Sequence, residues 1–234
     1  MLPDFEFCRD AFAKYELELT GNMYQKFDIY AEFLVEYNKN VNLTAITAPS
    51  DILFKHFIDS VLMVKFADIK PNSKIIDVGT GAGFPSVPAK IYDNSLELTL
   101  LDSLNKRITF LQLLCNKLDI EAEFIHGRAE DIAKLPDYRE NFDVSCARAV
   151  ANMSLLSEFC IPFVKVGGNF VALKGPSENI QDGLKAIDLL GGSVSRETNY
   201  SVEGEQRKIV IVKKISQSPT KYPRNSGQIK KNPL

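Results

Sequence analysis

The chain has 234 residues, of which 45% are hydrophobic and 25% are charged, an ordinary balance for a globular protein with a buried core. Its four cysteines form no CxxC pair and it has only two histidines, which argues against a disulfide framework and against a zinc or histidine-rich metal site. No apolar run approaches the roughly 18 residues that a membrane-spanning helix needs, and the amino-terminal residues lack the pattern of a secretory signal. We therefore expect a cytoplasmic protein that uses neither a membrane nor a metal ion.

The net charge of −2 hides an uneven distribution along the chain. Residues 213–234 contain six lysines and arginines and no acid, so this segment carries +6 and residues 1–212 carry −8. A basic segment on an acidic body predicts a local contact with an anion rather than general attraction to polyanions.

Two kinds of periodicity follow one another along the chain. Residues 4–67 place apolar residues three and four apart, which predicts a group of helices. From Lys74 onward, helical stretches such as LNKRITFLQLLCNKLD and MSLLSEFCIPFVK separate short strand-like runs, namely KIIDVG, LELTLLD, AEFIHG, FDVSCAR, GNFVALKG and RKIVIVKK. Strands that alternate with helices predict a mostly parallel sheet covered on both faces. The segment SVSRETNYSVEGEQRKIVIVKK predicts an antiparallel hairpin that closes this sheet.

The predicted architecture is therefore α/β, with about seven strands. We predict a helical extension over residues 1–70, the α/β domain over residues 71–215 and a basic tail over residues 216–234. In such sheets, ligands bind beyond the carboxyl ends of the strands, where the strand order changes direction. The residues that follow each strand are thus the candidates for function.

The first strand runs into the glycine-rich stretch DVGTGAGFP. Gly79, Gly81 and Gly83 alternate, and Phe84 stands where a dinucleotide-binding fingerprint would have its third glycine. A Walker loop is excluded because no GKS or GKT follows. Asp77, at the end of the strand and pointing into the ligand crevice, would suit a cationic ammonium or sulfonium group and would repel a pyrophosphate. The loop favours S-adenosylmethionine, with a dinucleotide or a purely structural turn as alternatives.

The next two strands end in further candidates. Asp102, nineteen residues beyond Gly83, is placed to accept the ribose hydroxyls of an adenosine, or else to cap the following helix. After the third strand, Ala129 and Glu130 could present a backbone amide and a carboxylate to an adenine edge. Helix capping is again the alternative for the acidic residues at this position.

Arg148 follows the fourth strand, where enzymes that use adenosylmethionine usually meet their substrate. The (N/D)PP(Y/F) stretch of amino-group methylases and the Pro-Cys nucleophile of cytosine-C5 methylases are both missing from the sequence. Because an unpaired arginine is costly to bury, we predict that Arg148 contacts a cofactor carboxylate or a nucleic-acid phosphate. Cys146, two residues earlier in an apolar run, is predicted to be part of the core.

Several separate motifs occur in an order that resembles one family. They are NLTAIT, KHFIDS, DVGTGAGFP, LLDSLNKR, GRAED, ARAVA, LKGP and the tail YPRNSG with KKNPL. From about Asn42 to Leu234 the chain resembles the glucose-inhibited division protein B family, the bacterial small-subunit rRNA guanine-N7 methyltransferases. The resemblance implies a Rossmann-like class I methyltransferase fold and a guanine in the 530-loop region of 16S rRNA as substrate. It also implies S-adenosyl-L-methionine bound at Gly79, Phe84, Ala129, Glu130 and Arg148.

With Asp77, Gly81 and Asp102 these residues form the predicted cofactor site. RNA recognition would depend on positive charge and stacking surfaces. The RNA-binding candidates are His56, Lys106, Arg107, Lys174, Arg207, Tyr222 and Arg224, with Arg128, Lys208 and Lys221 as further cations. For His56, a packing or hydrogen-bonding role is the alternative; for the basic tail, the alternative is a solvated, poorly ordered end. We hypothesise that the tail folds back near the active cleft and contacts RNA, so that its deletion leaves cofactor affinity intact.

The chemistry that the resemblance implies matches the absence of a catalytic motif. Guanine N7 has an exposed lone pair and no proton, so its methylation needs neither a general base nor a covalent nucleophile, and we assign no catalytic residue. Positioning of two bound partners remains as the source of rate acceleration. The alternatives are a methyltransferase of the same fold that acts on a small molecule or protein, and a non-catalytic RNA- or nucleotide-binding module. The expected partner is the small ribosomal subunit, and we expect a monomer.

Overall fold

The computed structural model describes residues 1–148 and 151–234, so Ala149 and Val150 of the ARAVA motif lie outside the described residues. The amino-terminal region is helical, as its periodicity predicts. Its elements are α1 (Phe5–Ala13), α2 (Gly21–Asn38), α3 (Pro49–Asp51), a π-helical segment (Ile52–Ile58) and α4 (Asp59–Phe66). Side chains cap the first two helices, because Asp4 accepts from the Phe7 N–H and Thr20 accepts from the Met23 N–H.

A seven-stranded sheet follows, in the order β3-β2-β1-β4-β5-β7-β6. Its strands are β1 (Lys74–Val78), β2 (Glu97–Asp102), β3 (Ala122–His126), β4 (Phe142–Arg148), β5 (Val164–Lys174), β6 (Gly192–Val202) and β7 (Glu205–Lys214). Strands β1 to β5 pair in parallel, and β7 is antiparallel to both β5 and β6. The predicted mostly parallel sheet with an antiparallel closing hairpin is confirmed. The carboxyl ends of β1 to β4 therefore share one edge of the sheet.

Helices connect and cover the strands. They are α5 (Ser86–Tyr92), α6 (Asn105–Leu118), α7 (Ala129–Ile132), α8 (Met153–Cys160), α9 (Gln181–Leu189) and α10 (Ser226–Lys231). One boundary differs from the prediction, because the helical pattern MSLLSEFCIPFVK does not continue to its end. Helix α8 stops at Cys160, a 3-10 turn spans Ile161–Phe163, and β5 begins at Val164. Pro162 explains this, since proline lacks the N–H that an α-helix interior requires.

The two faces of the sheet bury two separate clusters of apolar side chains. Adjacent residues of β1 point to opposite faces, so Ile75 packs with the amino-terminal helices while Ile76 packs with α8 and α9. Phe12 of α1 and Phe27 of α2 belong to the same cluster as Ile75. The predicted helical extension therefore shares a core with the sheet, and its boundary at residue 70 stays a prediction. All four cysteines, including Cys146, are buried.

Candidate active site

The glycine loop after β1 turns through three residues in the left-handed region. Gly79, Gly81 and Gly83 have φ values of 73°, 62° and 96°. A Cβ atom added at Gly83 would lie 2.8 Å from the Tyr30 hydroxyl and 2.8 Å from a methyl group of Val87. Gly83 thus allows the close helix packing that the dinucleotide fingerprint obtains from a glycine one residue later. The glycine loop therefore packs closely against its neighbours even though position 84 carries phenylalanine and not the third glycine of the fingerprint.

Asp77 lies in β1 and is fully buried. Its Oδ2 accepts hydrogen bonds from the hydroxyl groups of Thr80 and Ser86, at 2.9 and 2.6 Å, and its Oδ1 has no hydrogen-bond partner. Burial raises the pKa of Asp77 to about 7, although its hydrogen bonds to Ser86 and Thr80 oppose this. The carboxylate therefore lies inside the loop and holds its conformation, whereas the sequence placed it pointing into the crevice.

Phe84 is the centre of an aromatic stack that joins the loop to the amino-terminal helices. Its ring lies 5.3 Å from the Tyr30 ring and 4.3 Å from the His56 ring, and the Arg148 guanidinium lies 4.7 Å above it. The Tyr30 hydroxyl in turn donates to the Ala82 carbonyl within the loop. Phe84 thus places the predicted cofactor loop directly against Arg148, across two regions of the chain.

A cavity of about 330 Å³ opens at the carboxyl edge of β1 and β2, and we call it the Glu130 cavity. Its lining includes Val78, Gly79, Leu101, Asp102, Ser103, Gly127, Arg128, Ala129, Glu130, Ala151, Leu155, Phe159, Ser226 and Lys230. Four of the predicted cofactor residues therefore meet here, namely Gly79, Asp102, Ala129 and Glu130. Asp77, Gly81 and Phe84 are outside this lining and instead build the adjoining loop.

Asp102 joins the loop to the start of α6. Its Oδ2 accepts from the Gly81 N–H at 3.0 Å and from Arg107 at 3.1 Å, and its Oδ1 accepts from the Leu104 N–H at 2.9 Å. The carboxylate therefore supports the turn into α6 while it also lines the Glu130 cavity. Both interpretations of Asp102 from the sequence are compatible with this placement.

Glu130 provides the clearest sign that the Glu130 cavity receives a ligand. The residue is 4% exposed in the first turn of α7, and its Oε1 has no hydrogen-bond partner. A buried acceptor without a donor is costly, so a ligand with hydroxyl or amino groups would stabilise it. The hydroxyl and amino groups of an adenosine fit this requirement, with Asp102 as the second acceptor in the same lining.

A second cavity, of about 560 Å³, lies beside the first and shares Ala151 with it. We call it the Arg148 cavity, and it is lined by Ile46, Lys55, His56, Asp59, Arg148, Ala151, Leu173, Lys174, Gly175, Glu178, Tyr200 and Arg207. Four of these side chains are basic and two are acidic, so the lining is net positive. This charge suits an anionic ligand such as a nucleic-acid phosphate.

Arg148 has a protein partner, because Asp59 meets it from the start of α4, and its predicted contact with a ligand anion stays a prediction. One guanidinium nitrogen donates to Asp59 Oδ2 at 3.2 Å and to the Lys55 carbonyl at 3.2 Å. The other Asp59 oxygen accepts from the Tyr200 hydroxyl at 2.7 Å. Asp59 is 3% exposed, so this ion pair is largely shielded from solvent and fixes the orientation of the guanidinium.

His56 completes this network as a neutral ring. Its Nδ1 lies 3.1 Å from an Arg148 nitrogen, which can only donate, so Nε2 carries the proton and donates to the Thr44 hydroxyl at 3.0 Å. Burial, together with the nearby Arg148 charge, lowers the pKa of His56 to about 3. His56 therefore brings no positive charge to an RNA phosphate, and its contacts fit the hydrogen-bonding role that the sequence left open.

The other RNA-binding candidates differ in whether their charge is exposed or already paired with an acid. Lys106 is exposed at the start of α6, whereas Arg107 is paired with Asp102. Lys174 lies 3.0 Å from Glu178, and Arg207 lies 2.6 Å from Glu205. Lys174 and Arg207 still line the Arg148 cavity. A phosphate that binds there would compete with Glu178 and Glu205 for these two cations.

The two RNA-binding candidates in the tail, Tyr222 and Arg224, instead attach the tail to the rest of the protein. Tyr222 is 7% exposed, and Arg224 makes a two-pronged ion pair with the carboxylate of Glu158 in α8. Arg128 and Lys221 are exposed. Lys208 donates to the Glu178 carbonyl at 3.1 Å.

Sequence reasoning missed several residues of the two cavities. They are Asp59 and Tyr200 in the Arg148 network, and Leu155, Phe159, Ser226 and Lys230 in the Glu130 cavity. Asp59 stands in the quoted motif KHFIDS, so its charge next to a candidate site was an available signal. The others reach the site from distant parts of the chain, and nothing local in their sequence marks them.

The described residues contain neither a candidate membrane-spanning helix nor a candidate metal site. No helix in the described part of the chain is long and apolar enough to cross a membrane. In residues 1–148 and 151–234, no group of His, Cys, Asp and Glu side chains is arranged to hold a metal ion.

The fold is similar to that of solved methyltransferases. A SAM-dependent O-methyltransferase from Thermotoga maritima is similar with a TM-score of 0.52 and 17% identity, over 80% of this chain and 72% of that one. A SAM-dependent methyltransferase from Aquifex aeolicus is similar with a TM-score of 0.52 and 18% identity, over 70% of this chain and 93% of that one. This likeness shows that the fold is that of the class I methyltransferases, with the glycine loop and the Glu130 cavity at the carboxyl edge of the sheet.

Sequence comparison gives the family within that class. The GidB family model, described as rRNA small subunit methyltransferase G, matches residues 23–210. Proteins named Ribosomal RNA small subunit methyltransferase G are similar at 50% identity in Clostridium tetani and at 48% in Clostridium perfringens strain SM101, covering 91% and 98% of this chain and of the relative. The chain therefore belongs to the GidB family, and the family resemblance found in the sequence is confirmed.

Proposed function

We propose that this enzyme methylates N7 of a guanine in the 530 loop of 16S rRNA, with the small ribosomal subunit as its substrate. The observation that carries the proposal is the pair of adjoining cavities at one sheet edge, which share Ala151. One offers acceptors for a nucleoside, and the other has a net positive lining. The names of the relatives, which specify small-subunit ribosomal RNA, support the choice of substrate.

Residues of the Glu130 cavity would hold the cofactor. Asp102 and Glu130 would accept hydrogen bonds from ribose hydroxyls and from the adenine amino group, and Gly79 would allow close approach to the backbone. When bound, S-adenosyl-L-methionine supplies a methyl group attached to a positively charged sulfur. Asp77 and Phe84 would act indirectly, because they hold the glycine loop in its observed conformation.

The Arg148 cavity would hold the guanine and its neighbouring phosphates. Both acids described in its lining are already engaged with cations, Asp59 with Arg148 and Glu178 with Lys174. His56 is uncharged and its two ring nitrogens have partners. The described residues of this cavity thus offer no free general base, and N7 of guanine needs none.

Catalysis would then come from positioning, an effect that can supply about 7–11 kcal/mol for two well-oriented partners. Arg148 would orient either the cofactor carboxylate or an RNA phosphate, because its guanidinium is fixed by Asp59 and stacked on Phe84. Lys106, exposed at the start of α6, and Arg128, exposed in the lining of the Glu130 cavity, would add charge along the RNA path. We further propose that the enzyme acts as a monomer in the cytoplasm.

The test is a methyl-transfer assay with labelled cofactor and small subunits that lack the modification. We expect the label at N7 of a single guanine of the 530 loop, identified by nuclease mapping and mass spectrometry. Naked 16S rRNA and assembly intermediates, assayed in parallel, identify the form of the substrate.

Two outcomes would contradict the proposal. Transfer to a small molecule or protein but not to RNA would favour another methyltransferase of this fold. Cofactor binding without any transfer would favour a nucleotide- or RNA-binding module.

A further inference from the structure

The basic tail is not a free end, because the basic side chains of Arg139, Lys214 and Arg224 fix its path across the protein. Arg139 donates to the Ser218 carbonyl at 2.7 Å and to the Tyr222 carbonyl at 2.8 Å. Lys214, buried at the end of β7, hydrogen bonds to the Ser218 hydroxyl and lies 3.1 Å from Glu140. Backbone groups of the tail are therefore satisfied by specific side chains of the α/β domain.

The strongest attachment is between Arg224 and Glu158. The Arg224 Nε and a terminal nitrogen donate to the two oxygens of Glu158 at 3.0 and 2.7 Å, and the Arg224 backbone N–H donates to the same carboxylate at 2.7 Å. The side chain of Glu158 is 1% exposed. A buried carboxylate that accepts three such bonds specifies one position for the tail on helix α8.

Helix α10 follows this attachment directly. Asn225 caps it by accepting from the Gln228 N–H at 3.0 Å, and Ile229 is fully buried. With that side of α10 packed down, Ser226 and Lys230 line the Glu130 cavity together with Asp102 and Glu130. The position of these two tail residues in the cavity wall thus follows from attachments outside the cavity.

The sheet edge and the tail contribute opposite kinds of hydrogen-bonding group to the Glu130 cavity. The sheet edge supplies carboxylates, which accept, and one of them, Glu130 Oε1, is buried without a donor. The tail supplies an ammonium group and a hydroxyl, which can donate. A nucleoside offers both kinds of partner, since its hydroxyl and amino groups donate while its ring nitrogens and ribose oxygens accept.

We propose that the tail forms part of the cofactor site, with Lys230 and Ser226 donating hydrogen bonds to the nucleoside of S-adenosyl-L-methionine. This inference relies on the cofactor assignment of the proposed function and extends it to residues 226–230. It differs from the hypothesis made from the sequence, in which the tail contacts RNA and its removal leaves cofactor affinity intact.

A pair of neighbouring lysines provides the test. Lys230 lines the cavity, whereas Lys231 is exposed, has the same charge and is outside the cavity lining. We expect Lys230→Ala in the full chain to weaken binding of S-adenosylhomocysteine about 3- to 10-fold by isothermal titration calorimetry, and Ser226→Ala to weaken it about 2- to 5-fold. Lys231→Ala should bind as the wild type does.

A second variant tests the attachment itself. Arg224→Gln should loosen the tail, which we expect to weaken S-adenosylhomocysteine binding and to speed hydrogen exchange at the amides of residues 226–231. Thermal unfolding without ligand shows whether each variant remains folded, and exposed Lys230 should tolerate its substitution.

The results separate failure of the inference from failure of the cofactor assignment. If the wild type binds S-adenosylhomocysteine and Lys230→Ala binds it equally well, the tail is not part of the site. Equal losses in Lys230→Ala and Lys231→Ala would show only a general charge effect and would also overturn the inference. If the wild type itself does not bind the compound, the cofactor assignment fails.

Discussion

The Glu130 cavity and the Arg148 cavity adjoin each other, yet one buried acid of each, Glu130 and Asp59, differs in whether the protein satisfies it. In the Glu130 cavity a buried carboxylate oxygen has no donor, so the protein alone does not satisfy it. In the Arg148 cavity the charges are already paired, with Asp59 held between Arg148 and Tyr200. The first arrangement favours a ligand that brings hydrogen-bond donors. The second is a preformed surface whose cations are held in place before an anion arrives.

The largest effect is expected from Arg148→Lys, which tests whether the paired network serves function. Lysine keeps the charge beside buried Asp59 but loses the planar fork that also reaches His56 and the Lys55 carbonyl. We expect methylation of small subunits, measured as kcat/KM, to fall about 100-fold, or ~2.7 kcal/mol. Parallel titration with S-adenosylhomocysteine tells which cavity is affected, because a matching loss of affinity places Arg148 at the cofactor.

Arg196→Lys is the control for that substitution, since Arg196 donates to the Phe66 carbonyl away from both cavities. If Arg148→Lys keeps the full methylation activity of the wild type, the assignment of Arg148 to the site is wrong.

The buried state of His56 predicts a pH dependence of stability. In the unfolded chain its pKa is near 6.5, and in the folded protein it is lowered to about 3. Between these values the unfolded chain binds a proton that the folded protein does not, so stability is lost as pH falls below 6.5. At pH 5 this loss amounts to about 2 kcal/mol relative to pH 7.5. Urea unfolding of His56→Gln at both values should show a smaller loss than the wild type.

His126→Gln is the matched control, because exposed His126 is the second histidine of the chain. It should lose stability between pH 7.5 and pH 5 as the wild type does. If His56→Gln also retains the wild-type loss, the ring is not shielded as the Arg148 network implies.

Glu130→Gln tests the opposite side of the comparison, because it should change stability and affinity in opposite directions. A neutral amide is less costly to bury than an unpartnered carboxylate, so we expect the free protein to gain ~1 kcal/mol in urea unfolding. The amide is also a weaker acceptor, so affinity for S-adenosylhomocysteine should fall about 5- to 10-fold. Asp131→Asn, at the exposed next position, should change neither quantity. A loss of stability in Glu130→Gln would show that the carboxylate is already satisfied.

The smallest effect is expected from Lys106→Ala, which tests charge outside both cavities. If this exposed lysine contacts one RNA phosphate, affinity for small subunits should fall about 2- to 3-fold, and the dependence of log K on log salt should lessen by roughly 0.7. Lys117→Ala, near the other end of α6, should leave both unchanged. Equal salt dependences for Lys106→Ala and the wild type would exclude the phosphate contact.

The fold could be predicted because its signals are local. In β1, Ile75 and Ile76 point to different cores, so a continuous apolar run correctly indicates a strand buried on both faces. The glycines mark a left-handed turn at the carboxyl edge, where ligands bind in such sheets. The same rule for ligand sites indicated Asp102, the last residue of β2, and Glu130, which lies four residues beyond the end of β3.

The rest of the site depends on contacts between distant residues. Asp59 and Arg148 are far apart in sequence, and the pairing of Arg148 with Asp59 and His56 follows from the packing of the amino-terminal helices on the sheet. Lys230 lines the Glu130 cavity because attachments such as Arg224 to Glu158 and Arg139 to the Tyr222 carbonyl hold the tail in place. Neither arrangement has a local pattern, so the sequence could name candidate residues but not their partners.

The π-helical segment Ile52–Ile58 has a consequence for how this region tolerates changes in length. It contains one half-buried residue, Lys55, between the buried runs 52–54 and 56–58. A π-helical turn accommodates one more residue than an α-helix that turns through the same angle. Removing a single amino acid here would therefore let the helix regain regular α geometry while both buried runs keep facing the core. The same deletion in the regular helix α2 would turn one half by roughly 100° relative to the other. We therefore expect a one-residue deletion to be less damaging in the π-helical segment than in α2.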